Sequence, residues 1–213
     1  MNKAVLISIQ PKWCELIASG KKTVEVRKTE PEIDVPFKVY IYCTKDKNHS
    51  FCTDDGNQYT HIGNGKVIGE FVCDNINTIE YASGTIIEQG RCEGIYTLEG
   101  SCITSFDYVV DYMGKQHKAY GWHISNLVIY DKPKELLEFY KCGAKSLQEL
   151  DEDVCAYCIE TDYGINKGYC TPRGYVSCEG RWCNEAYQNY LDAEFAIVRP
   201  PQSWCYVKEL KEY

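Results

Sequence analysis

A chain of 213 residues with a net charge of −8 is long enough for one generous domain, or one domain plus an insertion, and too acidic to coat bulk DNA. Its 44% hydrophobic and 13% aromatic residues fit a globular protein, and no apolar run reaches the roughly 18 residues of a membrane span. MNKAVLISIQPKW holds only a short apolar run before charge, which does not read as a signal peptide, so a cytoplasmic protein without membrane contact is expected.

AVLISI (4–9) is short, continuous and apolar, the signature of a buried strand. Pro11 opens a helix to about Ser19, where a missing N–H is harmless, and Trp13, Leu16 and Ile17 give it a core face. Gly20 fits the left-handed position after that helix. GKKTVEVRK (20–28) then alternates as a strand, and FKVYIYCT (37–44) is a second one, rich in β-branched and aromatic residues. Residues 45–65 are polar and rich in Gly and Asn, which predicts a long loop. Residues 65–81 read as one strand with Gly69 at a bulge, and 82–100 lack periodicity. Residues 101–114 predict a short helix stopped by Gly114, and 117–133 a long strand ending at Pro133. The text from 141 to 195 loses its periodic apolar residues, and 199–210 returns to strand character. The sum is an α+β fold, a small mixed β-barrel with short helices. Its plan is a barrel over 1–139, a Cys-rich insertion over 140–198, and a closing strand of the barrel within 199–213.

Thirteen cysteines in a chain without an export signal are expected to stay reduced. Seven of them, Cys14, Cys43, Cys52, Cys73, Cys92, Cys102 and Cys142, are scattered and read as small buried hydrophobes. Cys155-x-x-Cys158 and Cys178-x-x-x-x-Cys183 are paired half-sites on a turn-rich segment, the pattern of a structural, four-thiolate zinc. Cys170 lies between them without a close partner and is an alternative ligand. Such a metal would order a segment poor in apolar residues, and a closed site of four cysteines leaves no open position for catalysis.

In 20–28, alternation puts Thr23, Glu25 and Arg27 on one face, with Lys22 at the entrance. Two readings stand side by side. The charges keep a solvated edge from pairing, or they line a pocket in which Glu25 must pair with Lys22 and Arg27. In the pocket reading Arg27 offers a planar fork to phosphate or a base edge, Glu25 accepts from a base amino group, and Ser8 lies near the same junction. Trp122 and His123 are adjacent on a strand and therefore point to opposite faces, one into the core and one toward the cleft.

SIQPKWCELIASGKKTVEVRK resembles the start of the ASCH domain, a branch of the PUA-like β-barrels, whose pattern is strand, short helix and Gly-x-Lys-x-x-Glu-x-Arg. Gly20, Lys22, Glu25 and Arg27 carry that pattern, and GKVIGEF, YGWHISNLVIYDKP and RPPQSWCYV resemble the later segments of bacterial and phage-type members. The resemblance implies a barrel whose charged cleft binds RNA or a modified nucleotide. It also implies a second possibility, because some small relatives are amidohydrolases acting on N4-acetylcytidine through a Lys and a Thr of this strand. Lys22 matches that Lys, while Glu25 stands at the Thr position and Thr23 matches an earlier Thr. A hydrolase acting on nucleic-acid components, an amidohydrolase or a ribonuclease, would use Lys22 at a developing oxyanion and Glu25 as base. A third reading makes the Cys-rich insertion a zinc-stiffened arm for a protein partner. The ligand-contact set is thus Ser8, Lys22, Thr23, Glu25, Arg27, Trp122 and His123, and the metal set Cys155, Cys158, Cys178 and Cys183.

Overall fold

The computed structural model describes residues 3–54, 60–82, 85–89, 106–143 and 195–210. The chain divides into two units, Met1–Leu136 with Arg199–Tyr213, and Leu137–Val198.

In the first unit, β1 (Lys3–Ile9) is buried at every residue after Lys3. It lies inside a five-stranded sheet, covered on both faces, which is why its text is continuously apolar rather than alternating. Helix α1 (Pro11–Ala18) starts from an extended Gln10 with Pro in its first turn. Its buried face is Pro11, Cys14 and Ile17, while Trp13 and Leu16 are only half-buried. Gly20 turns the chain at φ +70, and its N–H donates to the Ile17 carbonyl at 2.9 Å.

The remaining elements are β2 (Val24–Arg27), β3 (Phe37–Cys43), β4 (Cys52–Asp54), β5 (Thr60–Ile62), β6 (Val67–Cys73), β7 (Ile76–Ala82), β8 (Thr85–Gln89), α2 (Phe106–Met113), β9 (Lys118–His123), β10 (Ser125–Lys134) and β11 (Trp204–Lys208). The β4–β5 hairpin lies inside the expected loop, and Thr53 ties it down by donating to the Asp131 carbonyl at 3.1 Å.

Two long strands read from the sequence are each two. Asp74 and Asn75 separate β6 from β7, and Ile124 separates β9 from β10. At both corners the chain leaves one sheet for the other. The first sheet runs β10-β6-β3-β1-β11 and the second β2-β9-β7-β8. Backbone bonds hold the corners together, His123 N–H to the Asn75 carbonyl at 2.9 Å and Ile124 N–H to the Thr23 carbonyl at 2.8 Å. Corner strands that switch sheets are how two sheets come to cross rather than lie flat.

The expected closed barrel does not form among the described residues. Closing it would require β2, an edge of the second sheet, to pair with a free edge of the first. The edges of the first sheet are β10 and β11, and among the described residues neither is paired with β2, whose strand partner is β9. The fold is a mostly-sheet α+β structure with few helices, and its main core lies around Val5, Ile7, Val39, Ile41, Phe71 and Trp122. A smaller cluster, Ile79, Val109, Met113 and Ala119, joins α2 to the second sheet.

The bulge expected at Gly69 is present in the β3–β6 ladder, where Ile41 pairs with Gly69 and Tyr42 with Val67, leaving Ile68 as the extra residue, and β10 on the other side of β6 carries its own irregularity. The β10–β6 register jumps between Ser125 and Val128, and Asn126 takes φ +47 there. Gly69 supplies the close approach, since a Cβ would collide with the Val128 carbonyl oxygen and come within 3.1 Å of the Ile129 Cα. Both obstacles are backbone. Gly69→Ala is expected to destabilise the domain by about 1–3 kcal/mol, read as a lower urea midpoint at unchanged slope.

Of the scattered cysteines, Cys14, Cys43 and Cys73 are buried and free, whereas Cys52 is free and exposed and Cys142 is exposed. Burial pushes the Cys14 thiol well up and Cys73 up to about 12, so these two behave as the small hydrophobes expected. Cys92 and Cys102 lie outside the described residues, as do Cys155, Cys158, Cys170, Cys178 and Cys183. In the second unit, Tyr140 pairs with Ala196, and Lys141 and Ile197 donate to the Phe195 and Phe139 carbonyls.

Candidate functional site

Strand β2 is an edge strand, but its charges are not solvated. Lys22, Glu25 and Arg27 are 5%, 6% and 8% exposed. Burial at this level requires pairing, and each charge has it. Lys22 Nζ lies 3.3 Å from Glu25 Oε2, and Arg27 Nη2 lies 2.9 Å from Glu25 Oε1. The order is therefore cation, anion, cation, with Glu25 held by a different partner on each oxygen.

Backbone carbonyls fix both cations. Lys22 Nζ donates to the Val24 carbonyl at 2.7 Å, and Arg27 Nη2 donates to the Ser8 carbonyl at 2.6 Å. The Arg27 contact joins β2 to β1 where no strand ladder can, so a side chain bridges the seam between the sheets. Arg27 Nη1 has a loose contact, 3.5 Å, with Ser203 Oγ, and Arg27 Nε is buried without a partner. Ser8 Oγ donates to the Pro201 carbonyl at 2.7 Å.

Above this row lies a cavity of about 290 Å³. Lys22, Glu25, Arg27 and Ser8 contribute its polar side, and Trp13, Tyr108 and Tyr112 its aromatic walls. Trp13 and Tyr108 meet at 5.9 Å with their planes tilted by 59°, and Lys22 Nζ is 5.5 Å from the Trp13 ring centre. Tyr112 is buried enough that desolvation raises its phenol above 10, with Arg27 opposing and Glu25 adding to the rise. It stays a neutral O–H.

Ser8, Lys22, Glu25 and Arg27, four of the expected contacts, thus meet in one place. Thr23, Trp122 and His123 do not line the cavity. Thr23 precedes the strand, which begins at Val24, and its carbonyl is spent on Ile124. Trp122 sits opposite Glu25 in the β2–β9 register and is fully buried, against Phe37 at 5.9 Å and Trp204 at 6.0 Å. His123 is on the other face, its Nδ1 2.6 Å from Asp74 Oδ1. The face expected for the cleft is occupied by Asp74 instead.

Trp13, Tyr108 and Tyr112 are the aromatic cavity residues that sequence reading missed. The available signal was the four-residue spacing of Tyr108 and Tyr112, which puts both on one face of α2.

The Asp74–His123 pair has a pH consequence. Burial pushes the Asp74 carboxyl up, but hydrogen bonds from His123 and Ser125 and the imidazole charge outweigh it, leaving it below its ordinary 3.8. A depressed folded value contributes stability above 3.8 that disappears as pH falls through the folded value. Asp74→Asn is expected to flatten the acid limb of a Tm-against-pH curve below about pH 4. An acid limb identical to wild type would remove Asp74 from that account.

Residues 7–134 match the family model of the ASCH domain. The chain belongs to the ASCH domain family. Among solved structures, ASCH from Zymomonas mobilis is 20% identical, covering 62% of this chain and 73% of that one with a TM-score of 0.44. A tyrosine-to-phenylalanine mutant of the same protein gives 21% identity, 63% and 77% coverage, and a TM-score of 0.42. A serine-to-alanine mutant gives 16% identity, 97% and 89% coverage, and 0.43. No curated protein matches the sequence. The ASCH motif residues Lys22, Glu25 and Arg27 are the buried row beneath the cavity. Among the described residues no group of three or more His, Cys, Asp or Glu could hold a metal, and no helix is long and apolar enough to cross a membrane.

Proposed function

We propose that this ASCH domain binds RNA or a modified nucleotide, taking one base at a time into the cavity over Lys22, Glu25 and Arg27. The observation that carries this is a buried cation–anion–cation row facing an aromatic-walled cavity of about 290 Å³. That size is at the lower end of the roughly 300–1,000 Å³ of small-molecule sites. It has room for a nucleoside and none for a strand, which fits recognition of a base splayed from single-stranded RNA. The aromatic walls offer stacking, and the row offers hydrogen bonds to a base edge.

The geometry favours binding over hydrolysis by Glu25. Each carboxylate oxygen already accepts from a cation, so taking a proton from a substrate or water means competing with Lys22 or Arg27. A carboxylate has about four lone-pair sites, so Glu25 can still accept from a ligand N–H while it stays paired. The room for a base also weighs against the domain being a scaffold only.

The Cys-rich segment belongs to this reading as a zinc-stiffened arm held by Cys155, Cys158, Cys178 and Cys183, which extends the surface toward RNA or a protein partner. Elemental analysis of purified protein is expected to find about one zinc per chain; metal-free, folded protein removes the arm from the proposal.

The test is a titration of RNA oligomers and free nucleosides into wild type and Arg27→Gln, with the mixtures then analysed by mass spectrometry. Binding about 10- to 100-fold weaker in the variant, with ligands recovered unchanged, is expected. New products formed by the wild type would make the protein an enzyme instead.

A further inference from the structure

The row at the cavity floor has a fixed polarity. Glu25 Oε2 faces Lys22 and Oε1 faces Arg27, so an acceptor sits between two positive groups in one line. A flat ligand edge lying along that line is matched when a donor stands at its centre and an electronegative atom at each end. Lys22 and Arg27 need not give up their present bonds for this. Their charges alone favour oxygen over N–H on either side of Glu25. Arg27 adds a directed donor, because Nη2 is committed to Ser8 and Glu25 whereas Nη1 has only the loose 3.5 Å contact with Ser203.

Four common bases differ on this point. Cytosine presents an amino donor at one end with acceptors following. Adenine presents one donor and one acceptor. Guanine has a carbonyl at one end and two adjacent donors. The imide edge of uracil reads carbonyl, N–H, carbonyl, and it alone has the single donor flanked by oxygens. We infer that the cavity selects a uracil-type base, with its imide N–H on Glu25, its two carbonyls toward Lys22 and Arg27, and its ring against the Trp13–Tyr108 corner.

This rests on the nucleotide-binding reading and narrows its substrate class. The match also implies rejection. Cytosine would set its amino group against a cation and leave Glu25 facing a ring acceptor, and sites built on paired polar groups discriminate strongly against such mismatches. Uridine in a strand and uridine free in solution share this edge, so the base identity alone does not separate the two sources.

The test is calorimetric titration of the full chain with UMP, CMP, AMP and GMP, with N3-methyluridine monophosphate, and with short oligomers of U and of C. The methylated ligand changes one atom of the edge and leaves the protein untouched, so misfolding cannot confuse the result. UMP is expected to bind about 10- to 100-fold tighter than CMP and than the N3-methylated form. Oligo-U that binds more tightly than UMP identifies RNA as the source, and equal affinity identifies the free nucleotide; either result, with CMP and the methylated ligand weaker, supports the inference. Equal affinity for UMP and N3-methyl-UMP, or for UMP and CMP, overturns the imide assignment while nucleotide binding stands. If no nucleotide or oligomer binds, the binding reading itself fails and the inference with it.

Discussion

Glu25→Ala is expected to destabilise the domain by about 3–5 kcal/mol, because it leaves two buried cations without their shared counter-charge. For a unit of this size that is a fall of roughly 10 °C in Tm. The backbone bonds from Lys22 to Val24 and from Arg27 to Ser8 survive the substitution, but neither carbonyl carries a full charge to offset the ammonium or the guanidinium. A second variant separates stability from purpose. Replacing the whole row, Lys22→Met with Glu25→Leu and Arg27→Met, removes all three charges together, and exchanging a buried ionic group for apolar side chains is often neutral or stabilising. The triple variant is expected to recover most of the stability lost in Glu25→Ala and to bind no ligand. If it is as unstable as Glu25→Ala, the row is there to hold the sheets together at the Arg27–Ser8 seam, and its role in recognition loses its main support.

Trp122→Ala carries the second large effect, an expected loss of about 3–5 kcal/mol. Trp122 is fully buried between Phe37 and Trp204, and nothing around it can collapse cheaply into the volume of an indole. Its indole N–H has no hydrogen-bond partner, so part of the ring's packing gain already offsets a buried, unsatisfied donor. Trp122→Phe removes that donor while keeping an aromatic ring, and is expected to lose only a fraction of what the alanine loses. Ligand affinity separates this core role from the stacking role. Trp122→Phe should leave affinity unchanged in folded protein, whereas Trp13→Ala should weaken it by about 1–3 kcal/mol, with a smaller loss of Tm than Trp122→Ala because Trp13 is only half-buried. The opposite pattern, affinity following Trp122 and indifferent to Trp13, would move the site from the cavity to the Phe37–Trp122–Trp204 cluster.

Much of this architecture is legible in local text. Pro11 and Gly20 bracket α1 because their backbone chemistry acts within one or two residues. The charged row was legible because Lys22, Glu25 and Arg27 sit within six residues and can satisfy one another only if they share a pocket. The sheet corners were not. Apolar alternation runs through Asp74–Asn75 and through Ile124 without a proline or glycine to mark the break, and only pairing with distant strands makes those residues corners. Barrel closure was not legible for the same reason, since which strands end as unpaired sheet edges is a long-range fact. Trp13 and Trp122 show the limit for side chains. Both are aromatic residues beside the motif, and helix or strand period says which face each takes but not whether that face meets core or cavity.

The most direct test of the cavity as the binding site is zero-length ultraviolet cross-linking of the full chain to mixed-sequence RNA, with the adducts mapped by mass spectrometry. The cavity account predicts adducts on Trp13, Tyr108 or Tyr112, lost in the Lys22→Met/Glu25→Leu/Arg27→Met protein. Adducts that avoid all three aromatics and persist in that variant would contradict it.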